Sequence, residues 1–540
     1  MVSVVAAALV PAASGQVYLF TPVVQEGDQT QLGSRLDRDL RVSRLLPGGG
    51  ALLTCDVADG RTGLWLVDRS GQRLIAAEGE PAPGFGTGSV FGSRFFRAEV
   101  AATTGAVLFD AIAAGSSGGG SGAWLSLADG TLLPVLLGGQ AVPTVSGATI
   151  GDVSVQGINA SGEGVVLVEA ERPGQQDAAV VFRVAPDGTA TPAATDGDPT
   201  DRPGETFFSI RWAGIDDAGN VYVQGFSEGF GFATGIWRID PTGAVTSVVR
   251  TSDDAPGLPP TTRFNVISEP DLASNGDMLF RAVLFRSGGT TADTDEGIWR
   301  VRGGVIEQIM REGDPAPGLP AGAVFADVND AITSVQDDGT YSIEVEAEEF
   351  PVGGRQERRT FWYAPADGDA TLMYRTNDPV PAIDPGYQVV RAELGRLDSD
   401  GTVFIGLPRR IPATVIRRDP DGTEAVEISS ALAPWTAVGV SPRAFEPLTM
   451  SFVPGADPGT MFLQGRLDTG NGETVVWYGE LDPDHCFADT NRDGLLSPAD
   501  FNAWVTGYNE RFASCDQNND GLCTPADFNA WVINFNDGCP

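Results

Sequence analysis

Short stretches in which apolar and polar residues alternate, bounded by turn residues, run through most of this chain. Alternation with period two is the mark of a strand that buries one face. A representative stretch predicts four strands, at about 207–215, 220–226, 235–239 and 245–250. The turns between them carry Asn or Asp with Gly, as in Asn159-Ala-Ser-Gly162, Asp216-Asp-Ala-Gly219, Ser274-Asn-Gly276, Asp337-Asp-Gly339 and Asp398-Ser-Asp-Gly401. Gly supplies the positive φ of such turns, and Asn or Asp caps them through side-chain bonds.

Two phrases recur with this pattern. One is the loop Glu78-Gly-Glu-Pro-Ala-Pro-Gly84, echoed at Asp196–Pro199, Asp253–Gly257, Glu312–Gly318 and Asn377–Pro381, with a degenerate copy over 138–143. The other precedes it: Gly63-Leu-Trp65, Gly122-Ala-Trp124, Val180-Val-Phe182, Gly235-Ile-Trp237, Gly297-Ile-Trp299, Thr360-Phe-Trp362, Thr414-Val-Ile416 and Thr474–Trp477. Their spacing of 54 to 63 residues makes eight units. A lone four-stranded sheet cannot bury both faces, but sheets stacked about an axis can. The pattern therefore predicts an all-β chain over 16–481, a β-propeller of about eight four-stranded blades. The last unit stops after its third strand, so Val17–Val24 is expected to complete the sheet that holds Trp477 and remove its open edge. The repeated Trp residues are expected to pack between blades. The loop carboxylates are expected to cap backbone N–H groups rather than to bind cations or sugars.

The pattern changes near the C-terminus. Two twelve-residue loops, DTNRDGLLSPAD from Asp489 and DQNNDGLCTPAD from Asp516, start 27 residues apart. Each places oxygen-bearing residues at positions 1, 3, 5, 9 and 12 and Gly at position 6, the spacing that wraps a calcium ion. The candidate ligands are Asp489, Asn491, Asp493, Leu495 through its carbonyl, Ser497 and Asp500, then Asp516, Asn518, Asp520, Leu522 through its carbonyl, Thr524 and Asp527. Two Ca2+ ions are expected, and calcium is expected to contribute to folding. After each loop, Ser497 or Thr524 stands at the N-cap and Pro498 or Pro525 at the first helical position. Phe501, Trp504, Val505 and Tyr508, like Phe528, Trp531, Val532 and Phe535, recur at i, i+3, i+4 and i+7, so the two helices should share a small core.

Composition narrows the chemistry. With 72 acidic against 35 basic residues the net charge is −37, which repels phosphate backbones and argues against a nucleic-acid partner. The one histidine, His485, excludes multi-histidine metal sites and leaves no plausible Ser-His-Asp triad. Four of the five cysteines, Cys486, Cys515, Cys523 and Cys539, cluster around the calcium loops, which suggests disulfide staples outside the cytosol. Cys486 with Cys539 and Cys515 with Cys523 would clasp the module; two other pairings are equally open. Residues 1–15 read as a signal peptide with no basic residues before its apolar run, and no other stretch is apolar enough to span a bilayer.

Neither calcium loop has an entering helix of its own: residues 482–488 before the first are too few and include Pro483, and the helix between the loops is the one the first loop leads into. In this the segment 486–540, after a linker at 482–485, resembles a dockerin, and its repeated Pro-Ala-Asp-Phe-Asn-Ala-Trp at 498–504 and 525–531, with the closing Gly538-Cys539, resembles the GC-type dockerin tails of bacteria. The repeats resemble a bacterial tandem-repeat family described by an NxxGxxAF pattern with GDPAPG-like loops. The dockerin resemblance implies non-covalent anchoring to a protein partner, of which cohesins are the usual kind. Pro498-Ala499 and Pro525-Ala526 stand where cohesin-binding dockerins carry polar pairs, so another surface docking protein is equally expected. The expectation is a secreted or cell-surface, monomeric, calcium-binding propeller that is not an enzyme. The alternative is a dockerin-borne glycan-active enzyme, an O-glycosyl hydrolase or a lyase, or a polysaccharide-binding propeller.

Overall fold

In the computed structural model, the described backbone comprises residues 8–11, 17–25, 30–32, 36, 41–46, 50–68, 71–115, 119–229, 231–285, 290–291, 294–335, 339–350, 355–366 and 368–376, the strands and helices assigned after 376, and residues 488, 490, 496–497, 517 and 524. Among these, strands form six four-stranded and two five-stranded antiparallel sheets and one two-stranded ladder, and two helices lie at the C-terminal end. No described helix is long and apolar enough to cross a membrane. The residues fall into two units: 61–65 with 74–376, and 1–60 with 66–73 and 377–540.

The first of these units holds five consecutive meanders. The strands Thr206–Ile215, Val221–Glu228, Ala233–Ile239 and Val245–Arg250 realise the four expected from the alternation, in simple sequential order. In the next two sheets the first strand is divided. Phe264–Ile267 and Asp271–Leu272 both pair Met278–Leu284, separated by Pro270, whose ring removes a ladder donor. Val324–Ala326 and Ile332–Val335 both pair Tyr341–Glu349, separated by a 3-10 turn at Val328–Asp330. That turn begins at Asp327, whose φ of 44° is left-handed.

Both faces of these sheets are buried, and each face packs on a different neighbour. Trp237 shares a core with Val165, Val181 and Ala194 of the preceding sheet. Its chain neighbour Ile236 points the other way, into a core with Phe280 and Trp299 of the following sheet. Trp362 in turn packs with Leu279, Ile298 and Met310. Alternation along a strand sends successive side chains to opposite faces, so one strand serves two cores.

In the other unit Val17–Gln25 pairs antiparallel with Thr474–Leu481, with Pro22 opposite Trp477. This is the partner expected for that strand. Thr460–Arg466 flanks Thr474–Leu481 on its other side. Ala8–Pro11, inside the segment read as a signal peptide, pairs with Val17–Phe20 at the sheet edge. Glu393–Leu397, Val403–Leu407, Thr414–Arg418 and Glu424–Ser429 make a further four-stranded sheet. The helices are Pro498–Glu510 and Pro525–Asp537, where the capping signals place them.

Candidate metal-binding loops and the repeated loop

Of the twelve candidate calcium ligands, Asp489, Asn491, Asp493, Leu495, Asp516, Asn518, Asp520 and Leu522 lie outside the described residues. Ser497, Asp500, Thr524 and Asp527 are described, and the structure brings them together in pairs. Asp500 and Asp527 are 0% exposed. Asp500 Oδ2 accepts the Ser497 N–H at 2.7 Å, and Ser497 Oγ accepts the Ala499 N–H at 3.1 Å. Asp527 Oδ2 accepts the Thr524 N–H at 2.7 Å, and Thr524 Oγ1 accepts the Ala526 N–H at 3.3 Å. These are reciprocal capping boxes, with Asp in the place of the usual Glu. Asp527 also takes the Gln517 N–H on Oδ1 at 3.0 Å, which ties the end of the second loop to its start.

A carboxylate wholly buried at a loop end and held by backbone N–H groups suits position 12 of a calcium loop. There the ion replaces the water that burial removes. The pattern of ligands pointed to these two Asp residues; it did not show that each also caps its helix. Nor did it show what joins the two halves. Trp531 Nε1 donates to Thr490 Oγ1 at 3.2 Å, reaching from the second helix into the first loop. Asn534 Nδ2 donates to the Gln517 carbonyl at 3.1 Å. Both helices are parallel in sequence, Phe-x-x-Trp, and their rings interleave: Phe501 lies 5.3 Å from Trp531 and Trp504 lies 5.5 Å from Phe528. Trp504 and Trp531 are buried, whereas Phe501 and Phe528 are 37% and 41% exposed. The expected core is thus confined to the Trp side, because two helices cover only one flank of each other. The cysteine pairing around these loops falls on Cys486, Cys515, Cys523 and Cys539, outside the described residues; Cys55 is buried.

The repeated loop is explained by the repeated Trp. Trp65, Trp124, Trp237, Trp299 and Trp362 are all buried, as expected for packing residues. The side chain of Trp477 lies outside the described residues. The indole N–H of Trp124 donates to the carbonyl of Pro83 at 3.0 Å, and that of Trp299 to the carbonyl of Pro256 at 3.2 Å. Both prolines belong to the loop that leads into the sheet carrying the Trp. A Phe just after the loop meets the same ring nearly edge-on. The pairs are Phe91–Trp124 at 4.8 Å, Phe207–Trp237 at 5.2 Å, Phe264–Trp299 at 4.8 Å and Phe325–Trp362 at 5.1 Å. This geometry is the favoured one for aromatic rings. The recurring phrases do not include these Phe residues, although each stands 11 to 13 residues after the start of its loop.

Gly stands two residues before the Trp because the ring folds back over it. A Cβ on Gly63, Gly122, Gly235 or Gly297 would lie 2.1 to 2.8 Å from the Trp side chain. Thr360 replaces Gly in one sheet, and there the Trp362 indole N–H donates to Thr360 Oγ1 at 2.8 Å instead.

The loop carboxylates are used as caps. Asp196 accepts the Ala179 N–H at 2.8 Å and the Ile210 N–H at 3.0 Å. Asp198 accepts the Thr195 N–H at 2.8 Å, and Glu78 the Thr62 N–H at 3.2 Å. Asp314 accepts from Gln308 Nε2 at 2.9 Å. Burial raises the carboxyls of Asp196, Asp253 and Asp314 above their ordinary value. Among the described residues no group of His, Cys, Asp and Glu side chains is gathered as a metal site.

Fold and loops together define an all-β tandem-repeat protein with a two-helix C-terminal segment. Residues 50–392 match the Family of unknown function (DUF7453), and the chain belongs to that family. No curated protein matches it. Among solved structures it is similar to an oligogalacturonate lyase in complex with manganese, at 12% identity and a TM-score of 0.38, over 88% of this chain and 96% of that one. It is similar also to the oligogalacturonate lyase of Vibrio parahaemolyticus, at 10% identity and a TM-score of 0.37, over 78% and 96%. A third is the Dos1 propeller, at 9% identity and a TM-score of 0.29, over 78% and 88%. Likenesses this distant carry no argument about activity.

Proposed function

We propose that the chain is a closed β-propeller of eight blades, carried by a calcium-binding, dockerin-type tail that attaches it to a protein partner outside the cell. The observation that carries the tail's role is the buried pair Asp500 and Asp527, each closing a loop whose sequence places hard oxygens at calcium spacing. The propeller reading is supported by the pairing of Val17–Gln25 with Thr474–Leu481, which joins the two ends of the repeat in one sheet. In this reading Asp489, Asn491, Asp493, Leu495, Ser497 and Asp500 hold one ion, and Asp516, Asn518, Asp520, Leu522, Thr524 and Asp527 the other. The Pro-Ala pairs at 498–499 and 525–526 are exposed, so they belong to the surface a partner would meet.

The test is a titration of the full chain with calcium, followed by capture of secreted and surface proteins from the source organism with and without the ion. Two bound ions and calcium-dependent capture of a defined partner are expected. Failure to bind calcium would overturn the proposal. Incubation with polysaccharides completes the test, because released reducing ends would establish the glycan-active alternative.

A further inference from the structure

Three successive first strands are bulged. Val90–Val100 shifts register twice against Val107–Ala114, and Thr149–Ile158 shifts between Ile150 and Val153 and again between Val155 and Gly157. Thr206–Ile215 shifts between Phe207 and Ser209 and again between Ile210 and Trp212. Some bulged positions join sheets: Asp110 accepts the Arg97 N–H of its own first strand at 2.6 Å and the Val155 N–H of the next sheet at 3.0 Å. Others send a side chain outward. The residue that a bulge adds has no partner across the ladder, and its side chain leaves the alternation. In Thr206–Ile215 the added residues are Phe208 and Arg211, both exposed in a strand whose Phe207 and Ile210 are buried. Arg94 and Phe96 fall within the two shifts of Val90–Val100 and are exposed as well.

The side chains turned out of Thr206–Ile215 form one surface. Phe208 meets Phe232 edge-on at 5.0 Å, and the two are 37% and 68% exposed. Phe226 pairs with Ser209, between the two added residues, and the Arg211 guanidinium lies 4.5 Å over its ring. Stacking of this kind sets the plane of the guanidinium and leaves its N–H edge available. Other arginines of this region are engaged: Arg202 with Asp253, Arg250 with Glu205 and Arg263 with Asp254. Among the described residues Arg94 and Arg211 form no ion pair, so a carboxylate from outside meets no competitor there. We propose that Phe208, Arg211, Phe226 and Phe232 bind an acidic sugar, a pyranose ring that carries a carboxylate. The guanidinium fork takes a carboxylate through two parallel N–H···O bonds. The C–H face of a pyranose carries the partial positive charge that the face of an aromatic ring attracts, and Phe208 and Phe232 supply such faces. An acidic peptide brings the carboxylate without that C–H face. Arg94 and Phe96 repeat the combination of cation and ring two sheets earlier. The net charge of −37, with Glu228 exposed near Phe232, repels a long polyanion, so the fit is to a short acidic oligosaccharide. The site rests on the sheet of Thr206–Ile215, not on the number of blades or on the calcium-binding tail.

The experiment titrates the full chain by calorimetry with tetramers of galacturonate and of mannuronate, beside the neutral tetramer of galactose and the peptide tetraglutamate. Arg211→Gln, Phe232→Ala and Phe350→Ala are measured alongside; Phe350 is an exposed ring that follows Tyr341–Glu349 in another sheet. At least one acidic sugar should bind, and the galactose tetramer and tetraglutamate should bind more weakly by about tenfold, the value of one charge-assisted contact. Arg211→Gln should weaken the acidic sugar by about tenfold and Phe232→Ala several-fold, while Phe350→Ala leaves it unchanged. All these side chains except Phe226 are exposed, so the substitutions leave the buried faces of the sheet intact. Binding of neither acidic tetramer, equal binding of the galactose tetramer or of tetraglutamate, or a wild-type affinity in Arg211→Gln would overturn the proposal.

Discussion

The indole N–H of Trp124 donates to the carbonyl of Pro83, and the two residues come from the two phrases that recur along the chain. The loop and the Trp are therefore one structural device. Loss of the donor leaves the Pro83 carbonyl unsatisfied, which costs about 1–3 kcal/mol beyond lost packing. Trp237 packs in the equivalent place, but its indole nitrogen has no acceptor. Trp124→Phe should therefore lower the denaturation midpoint more than Trp237→Phe, by a margin of about 1 kcal/mol in unfolding free energy.

Glycines separate in the same way. A Cβ on Gly122 would lie 2.7 Å from the Trp124 ring and 3.0 Å from Leu137. Gly122→Ala should thus cost about 1–3 kcal/mol by overpacking. Gly130 has φ +86° and open space around its Cβ position, so Gly130→Ala should cost only the left-handed conformation, about 1–2 kcal/mol. In Gly122→Ala, Trp fluorescence should also shift as the ring moves; in Gly130→Ala it should not.

Glu205 and Arg250 form a buried ion pair, 4% and 2% exposed, beneath the loop at 196–204. Removing one partner strands a charge, so Glu205→Gln or Arg250→Met alone should cost about 3–5 kcal/mol in chemical denaturation. The double replacement Glu205→Leu with Arg250→Met should cost well under the sum, because no buried charge remains.

Asp500→Asn and Asp527→Asn separate the two roles of these residues. The amide oxygen of Asn can still accept the N–H of Ser497 or Thr524, so the helix cap is kept while the metal-binding charge is lost. On the proposed reading, the wild type should bind two calcium ions and each variant one, counted by elemental analysis. Chelation of the wild type should remove the helical circular dichroism of Pro498–Glu510 and Pro525–Asp537 and expose the tail to protease.

Much of this was legible because it is local. Period-two alternation located Thr206–Ile215 and its three partners nearly to the residue, and Ser497-Pro498 and Thr524-Pro525 located both helix starts. The pairing of Val17–Gln25 with Thr474–Leu481 was legible for another reason: a missing strand at one end matched a surplus strand at the other. The bridge from Asp110 to Val155 was not legible. It depends on a bulge, which alternation does not encode, and on which sheet lies beside which. The exposure of Phe501 and Phe528 was hidden too, since helical spacing tells which residues share a face but not how much of that face a single partner helix covers.

The strand that precedes the tail has a mechanical consequence. Thr474–Leu481 lies between Thr460–Arg466 and Val17–Gln25, hydrogen-bonded to both. Tension applied through residues after 481 arrives at a strand clamped on two sides, not at an edge strand that peels away. A pull on residues after 481 would therefore be shared at once between Val17–Gln25 and Thr460–Arg466, the beginning and the end of the repeat.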